Sequence, residues 1–282
     1  MVASAVVRRV LPAVRGLLLG AGWVFVVAAG VGFAGDAQAG IAATKHNLGT
    51  SGTGTNHLSA GTGEICVFCH TPHGSDSGAA APLWNKKVSS PSNYTTYTSP
   101  TLFNTTTLTG SMSLACLSCH DGTQAMDTVM NAAGSGGYNS AGAAMSGATW
   151  TGGNQTGGKM GASVVANLGT DLSNDHPVGM KYRNTDGATT GIQAEFKQST
   201  GSDPLFYVET ASTQTGAAAN ARDKYDLWLF PRYTGGVSDG IPRVECATCH
   251  DPHSDNPLFL RVPNSVADGG SASGLCLTCH LK

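Results

Sequence analysis

Apolar residues are concentrated near the beginning of the chain. A nearly continuous apolar run from Gly16 to about Ala34 follows a short basic segment, and the small-residue triplet Ala37-Gln38-Ala39 stands just behind it. This order is typical of a secretory signal peptide, so we expect residues 1–39 to be removed and the mature chain to begin at Gly40. The run approaches membrane-spanning length, which leaves an anchor as the alternative, but the triplet and several glycines favour cleavage. No other segment of the sequence is apolar enough to span a bilayer.

Beyond residue 39 the hydrophobic pattern is weak. Two stretches have the composition of strands, Leu205–Val208 and Tyr225–Phe230. The segment Ala132–Gly169 is a low-complexity tract of Gly, Ala, Ser and Thr in which Trp150 is the large anchor. A flexible linker is the simplest interpretation of the tract, and a coat over the protein or against a neighbouring subunit is the alternative. We therefore expect little regular structure.

Composition limits the kind of core that this chain can build. Glycine accounts for 38 of 282 residues, and only 12% of residues are charged. A chain of this kind cannot offset its conformational entropy by burying aliphatic side chains alone. Removing residues 1–39 takes Lys plus Arg from 16 to 13 and Asp plus Glu from 18 to 17, so the mature net charge is 13 minus 17, or −4. That balance argues against a nucleic-acid surface.

All eight cysteines occur in four copies of the pentapeptide Cys-x-x-Cys-His. This pentapeptide is the attachment signature of c-type haem, in which two thiols add to the vinyl groups of one porphyrin and the next imidazole binds the iron as its proximal ligand. We therefore expect four covalent haem c groups. The cysteine pairs are Cys66 and Cys69, Cys116 and Cys119, Cys246 and Cys249, and Cys276 and Cys279, and the proximal histidines are His70, His120, His250 and His280.

Disulfides and zinc are the alternative uses of these cysteines. Exported chains carry disulfides, and paired Cys-x-x-Cys motifs about 15 to 20 residues apart hold zinc. Neither explains a histidine after every pair, and the zinc spacing is absent. Large apolar macrocycles can instead supply the missing core. The expected fold class is a multihaem cytochrome c, mostly coil with short helices and a few short strands wrapped around four covalently bound haems.

The spacing of the motifs predicts the domain organisation. The first cysteines of successive motifs are 50, 130 and 30 residues apart. We expect one tetrahaem domain over residues 40–282. It would consist of a haem pair in 40–130, a Gly-rich insertion at about 131–240 that contains a distal histidine, and a second haem pair in 241–282.

Five further histidines are candidates for the distal position of the four irons: His46, His57, His73, His176 and His253. Imidazole on both sides keeps iron low-spin and saturated, which suits an electron carrier and leaves no site for a substrate. His73 and His253 each stand three residues after a proximal histidine, and the proline between them ends the helical turn. We therefore expect both to ligate the iron of a neighbouring haem.

The other three candidates lie away from the motifs. His176 is the only histidine of the insertion, and Asp175 or a backbone carbonyl could orient its ring. His46 and His57 compete for the last position, and the surplus one would be a surface residue or a ligand to a neighbouring subunit. His46 is nearer to the terminus and is our choice for that bridging role. Met112 precedes the second motif and is a further possible ligand, which five histidines make unnecessary.

Six segments together carry a family resemblance: Lys45-His46-Asn47-Leu48, Glu64–His73, Asp175–Gly179, Val244–His253, Leu258–Arg261 and Leu275–His280. They resemble the tetrahaem extracellular cytochromes that polymerise into haem wires in metal-reducing bacteria and some archaea, although periplasmic multihaem carriers share the Cys-x-x-Cys-His-x-x-His pattern. The resemblance implies bis-His haems in alternating parallel and T-shaped contact, a loop-dominated fold, and an iron ligand donated across the subunit boundary.

The sequence therefore predicts an exported tetrahaem electron carrier, not an enzyme, that forms an extracellular or cell-surface filament. Its partners would be copies of itself, redox partner cytochromes and extracellular electron acceptors, with no nucleic acid and no membrane span in the mature chain. One alternative is a monomeric periplasmic shuttle. Another is a multihaem reductase of nitrogen or sulfur oxyanions, which would need an open iron.

Overall fold

The predicted signal peptide, residues 1–39, lies outside the residues that the structure describes. The structure is a computed structural model, and the described residues belong to one unit of the chain, Ala39–Lys282. They are residues 40–78, 80–102, 104, 106–134, 137–182, 195–210, 222–234, 237–266 and 271–281. No helix among these residues is both long enough and apolar enough to cross a membrane.

Short helical turns carry the four Cys-x-x-Cys-His motifs, as the sequence predicts. The first motif begins on the 3₁₀ turn Cys66–Phe68, and the others lie on helices α1 (Ser113–His120), α2 (Cys246–Cys249) and α3 (Gly274–Cys279). A helical turn brings residues three apart onto one face, so it presents both cysteines of a motif to the same side. Further 3₁₀ turns span Gly40–Ala43, Pro91–Asn93 and Pro257–Phe259.

The strands are short and pair only two by two within the described residues. Six pairs are antiparallel, and β2 and β8 are parallel. The pairs are β1 (His57–Ala60) with β5 (Thr149–Thr151), β2 (Thr95–Thr96) with β8 (Asp171–Leu172), β3 (Thr128–Asn131) with β4 (Tyr138–Ala144), β6 (Gln155–Thr156) with β7 (Lys159–Met160), β9 (Met180–Lys181) with β14 (Arg243–Val244), β10 (Phe206–Val208) with β11 (Leu227–Leu229), and β12 (Tyr233–Thr234) with β13 (Val237–Ser238).

The two strand-like stretches of the sequence pair with each other. Strands β10 and β11 are antiparallel, with Tyr207 opposite Trp228. Apolar side chains of both strands are buried in one cluster together with Met180 and Val244. The strand predictions are therefore confirmed, with one end at the predicted residue, Val208, and the other three one or two residues inside the predicted stretches.

The Gly-rich tract is folded where the structure describes it and is not a linker there. Strands β4 to β7 lie within it, and β5 returns to pair with β1, which precedes the first motif. Gly152 makes this pairing possible, because its φ is +101° and a Cβ atom on it would overlap the carbonyl of Thr55. Trp150 lies at the edge of the apolar cluster that contains Phe68 of the first motif. The tract therefore covers the first motif.

In the part of the chain that the structure describes, three small apolar clusters make up the side-chain core, and Cys-x-x-Cys-His motifs adjoin all of them. The first contains Leu114 and Leu117 of α1, the second packs against Cys69 and Cys119, and the third packs against Cys279. The described chain is mostly coil with few helices and short strands. This architecture agrees with the predicted fold class.

Candidate haem sites

Three of the four proximal histidines are oriented in the same way. The Nδ1 atoms of His70, His120 and His250 donate to the backbone carbonyls of Pro82, Ala166 and Leu258, each over 2.8 Å. A carbonyl only accepts, so Nδ1 carries the proton and Nε2 keeps its lone pair. This is the arrangement that prepares a histidine to bind a metal through Nε2. The donor set therefore fits haem iron.

Each of three motifs is hydrogen-bonded to a backbone segment from elsewhere in the chain, and we call each such segment a clamp. Asn85, Arg261 and Lys197 donate their backbone N–H groups to the carbonyls of Cys69, Cys249 and Cys279 over 2.9, 2.9 and 2.8 Å. In each case the residue before the donor forms a β-bridge with the proximal histidine: Trp84 with His70, Leu260 with His250, and Phe196 with His280. The clamp holds the proximal ring against a strand-like segment, which limits its rotation.

The clamps of the first and third motifs each contain a leucine with a left-handed backbone conformation. Leu83 and Leu258 have φ values of 53° and 56°, and both side chains are exposed, at 51% and 75%. A left-handed backbone costs a non-glycine residue roughly 1–2 kcal/mol. Each leucine follows or contains the carbonyl that orients the proximal ring. Exposed apolar side chains beside two proximal histidines fit the hydrophobic face of a porphyrin.

Two histidine pairs have the spacing of axial ligands. The ring centroids of His70 and His253 are 6.1 Å apart, with 13° between their planes, and those of His46 and His120 are 6.2 Å apart at 88°. A metal–histidine bond is about 2 Å long and a ring nitrogen lies about 1.1 Å from its centroid, so two imidazoles across one metal have centroids roughly 6 Å apart. Both pairs can therefore hold one iron between them.

The ring of His253 is oriented by a carboxylate. Its Nδ1 lies 3.2 Å from Oδ1 of Asp251, and Oδ2 of Asp251 lies 3.4 Å from the buried guanidinium of Arg261. The contact with Asp251 raises the pKa of His253, and the hydrogen bond from His253 lowers the pKa of Asp251. A carboxylate on Nδ1 fixes the tautomer and raises the basicity of a ligating imidazole.

His46 lies inside its own subunit. Its ring stacks on Phe259 with centroids 4.3 Å apart, and its Nδ1 atom is buried without a hydrogen-bond partner. Burial and then the neighbouring His120 lower the pKa of His46 to about 4, although the carbonyl of Pro252 acts in the opposite direction. A neutral imidazole is the form that binds a metal. These contacts favour an intramolecular ligand and do not support our choice of His46 for the bridging role.

The remaining three distal candidates are not paired with another histidine ring in the described residues. His57 lies on β1 and its Nδ1 donates to the carbonyl of Gly54 over 2.8 Å. His73 and His176 are exposed, and Nδ1 of His176 lies 3.1 Å from the carbonyl of Pro177. Of the two groups that could orient the ring of His176, Asp175 and a backbone carbonyl, the contact is with the carbonyl.

Gly179 sets the path of the segment that carries His176. Its φ is +75°, and a Cβ atom on it would lie 2.1 Å from the carbonyl oxygen of Thr107. Its N–H donates to the carbonyl of Val244 over 2.7 Å. Only glycine fits such a close approach in this backbone conformation. The insertion is thereby joined to the strand that leads into the third motif.

Attachment cysteines of successive motifs are neighbours. The thiol of Cys116 is in contact with that of Cys246, and this contact and burial raise the pKa of Cys116. Burial and then the neighbouring Cys119 raise the pKa of Cys69 to about 12, and burial and then Cys279 raise that of Cys249 to about 12. The motifs thus follow each other in space in their sequence order.

A buried ion pair holds the second and third motifs together. Glu245, which precedes α2, is 1% exposed and forms a 2.6 Å ion pair with Arg232. Its other carboxylate oxygen accepts from the hydroxyls of Ser111 and Ser113 over 2.5 Å each. Ser113 in turn accepts from the N–H of Cys246 over 3.0 Å. These contacts join α1 to the residue before α2 and to the first residue of α2, and so fix the separation of the two helices.

One comparison with known proteins bears on the motifs. The family model of the doubled CXXCH motif matches residues 241–282, which contain the third and fourth motifs. The doubled motif indicates a multihaem c-type cytochrome. It implies covalently bound haem c and supports electron transfer as the role. No curated protein matches the chain.

The alternative uses of the cysteines gain no support from the geometry. All eight are free of disulfides. Among the described residues, no three His, Cys, Asp or Glu side chains are grouped to hold a metal ion by themselves.

Sequence reasoning missed the clamps and the Glu245 network. Pro82-Leu83-Trp84 and Pro257-Leu258-Phe259 share a Pro-Leu-aromatic signal that could have identified two clamps. The clamp of the fourth motif lies about 80 residues upstream of it, and no local signal connects the two segments.

Proposed function

We propose that this protein is an exported tetrahaem cytochrome c that carries electrons along four bis-His haems. The observation that carries this proposal is the pair of histidine couples at axial spacing, His70 with His253 and His46 with His120. When bound, haem c supplies an iron that accepts and releases single electrons. Attachment cysteines of successive motifs lie next to each other, which supports electron transfer from the haem of one motif to that of the next.

The chain's own residues fix the orientation of three proximal rings and one distal ring. Backbone carbonyls on Nδ1 hold the proximal rings, and Asp251 holds the distal ring of His253. Two fixed imidazoles leave an iron no open position and little need to rearrange when its charge changes. That combination favours an electron carrier over an enzyme.

The proposed assembly is an extracellular filament in which one histidine ligates an iron of the next subunit. Five distal candidates serve four irons, and three of them, His57, His73 and His176, lack a histidine ring partner in the described part of the chain. His250 has no histidine ring partner there either. A ligand for His250's iron then comes from these three residues, within the chain or from a neighbour. With His46 enclosed, His57 becomes the better bridging candidate of the two N-terminal histidines.

The same observation about His250 keeps the reductase alternative in view. An iron with imidazole on one side only could bind an oxyanion. Spin state separates the two functions, because a carrier with four bis-His irons is wholly low-spin when oxidised and binds carbon monoxide poorly when reduced. His176→Ala should then create one high-spin iron. A large high-spin fraction in the unmodified native protein would favour the reductase.

Mass and microscopy test the haem count and the assembly. The mature protein should weigh the chain from Gly40 plus four haems, with no thiol left to alkylate. Native material should appear as filaments by electron microscopy and elute as large species in size-exclusion chromatography. Fewer than four haems would contradict the count, and a monomer at all concentrations would favour the periplasmic shuttle.

A further inference from the structure

Lys86 is a buried cation without a counter-ion. Its side chain is fully buried at 0% exposure. Four cationic side chains are buried in the described part of the chain, and the other three, Arg232, Arg243 and Arg261, each have a carboxylate partner. No carboxylate of the described residues lies at ion-pair distance from Lys86. An unpaired buried charge is costly, so it calls for an explanation.

Backbone carbonyls take all three protons of the ammonium group. Nζ of Lys86 donates to the carbonyls of Ala125, Met126 and Thr128 over 3.0, 3.2 and 2.6 Å. An ammonium group has three donors and no acceptor, so this cage matches the charged form. The cage satisfies the hydrogen bonds but leaves the net positive charge in place. Carbonyl dipoles stabilise that charge without cancelling its field.

The charge lies beside the first motif. The neighbouring Asn85 donates its backbone N–H to the carbonyl of Cys69 over 2.9 Å and its side-chain Nδ2 to the carbonyl of Val67 over 2.6 Å. Lys86 is also within electrostatic range of the Cys69 thiol, where it favours negative charge. The cage itself belongs to the segment that follows the second motif. Lys86 is therefore fixed between two attachment sites, and the residue next to it is hydrogen-bonded to the first.

We propose that Lys86 raises the reduction potential of the haem attached at Cys66 and Cys69. Reduction adds one electron to the iron, Fe³⁺ + e⁻ → Fe²⁺, and no proton leaves or joins Lys86. The fixed ammonium group stabilises the added negative charge, so it favours the reduced state over the oxidised state. Two unit charges about 10 Å apart at an effective dielectric constant of about 20 interact strongly enough to change an equilibrium roughly tenfold. The inference rests on the proposed function, since it assumes haem at this motif.

The test is a reductive titration of the haem-loaded mature protein, with an electrode as the electron source. Lys86→Gln and Lys86→Met remove the charge, and Lys86→Arg retains it. Lys87→Gln is the matched control, because Lys87 is adjacent, 55% exposed and paired with Asp76. Mass and low-spin spectra first establish that each variant carries four haems.

The two neutral variants should lower one of the four potentials. The reduced-to-oxidised ratio of that component at a fixed potential should fall about tenfold, which is about 59 mV for a one-electron couple. Lys86→Arg and Lys87→Gln should leave all four potentials nearly unchanged. Four unchanged potentials in Lys86→Gln, or an equal shift in Lys87→Gln, would overturn the proposal. Neither result would affect electron transfer itself, which fails only if the protein shows no reversible couples.

Discussion

The imidazole rings of His70 and His253 lie 6.1 Å apart and nearly parallel, although one follows the first motif's cysteines and the other follows the third motif's proximal histidine. The His-Thr-Pro-His and His-Asp-Pro-His segments predicted that the last histidine serves a different haem. The geometry gives His253 a specific partner, and it brings the first and third motifs together across the whole insertion.

His253→Ala should create one high-spin iron. Loss of the ring leaves His70 as the single protein ligand of the pair, so the oxidised protein should gain a high-spin signal in electron paramagnetic resonance and in the visible spectrum. Ser254→Ala, at the neighbouring position, should stay wholly low-spin. A low-spin spectrum for His253→Ala with four haems bound would show that His253 is not an axial ligand.

Asp251→Asn should raise one reduction potential and keep all irons low-spin. The carboxylate makes His253 a stronger donor, which favours the ferric state, and it also pairs with Arg261. Asparagine removes the negative charge that makes His253 a stronger donor and that neutralises Arg261, while its side-chain oxygen remains a hydrogen-bond acceptor. Redox titration measures the shift, and the exposed Asp255→Asn is the control. An unchanged set of potentials would separate Asp251 from the tuning of this site.

Glu245→Gln should destabilise the folded protein by about 3 kcal/mol or more, because the substitution leaves Arg232 buried without its counter-ion. Denaturant unfolding followed by tryptophan fluorescence measures the loss. Glu64→Gln, at an exposed carboxylate before the first motif, is the control and should change stability little. Equal stability of the Glu245→Gln and control variants would mean that the ion pair does not hold α1 and α2 together.

His57→Ala and His46→Ala should have different effects if one histidine bridges subunits. His57→Ala should yield a haem-loaded protein that no longer polymerises. The iron that His57 of a neighbouring subunit would ligate should become high-spin. His46→Ala should also gain a high-spin iron, since its ring faces His120, but it should still assemble. Electron microscopy and spin-state spectra distinguish the two. Ordinary filaments with low-spin spectra from both variants would refute a ligand from either residue across the boundary.

The sequence revealed the chemistry of the sites better than their arrangement. Spacing between cysteines and histidines is local, so the attachment motifs and their helical turns follow directly from the chain. The pairing of His46 with His120 depends on contacts with Phe259 and Pro252, which are far away in sequence, and could not be read from residue types. The choice of His46 for the bridging role follows from its position near the terminus, whereas its stacking on Phe259 depends on long-range contacts that the sequence does not show.

The regular structure of the Gly-rich tract could not be predicted for a similar reason. Its composition is that of a linker, and only long-range pairing of β5 with β1 shows how it is held. Gly152 allows the backbone of Thr55 to approach closely. In the sequence alone, this glycine looks like part of a flexible linker. Likewise, Lys86 reads as one of two ordinary surface lysines, because nothing in Asn85-Lys86-Lys87 distinguishes a caged ammonium group from an exposed one.

A cryo-electron microscopy map of native, haem-loaded protein is the most direct test of the account. It should show four haems joined to the four cysteine pairs, with one iron between His70 and His253 and another between His46 and His120. It should also show a polymer in which an imidazole of one subunit reaches an iron of the next. A map with water or an open position opposite His70 or His120 would contradict the bis-His carrier at the centre of this account.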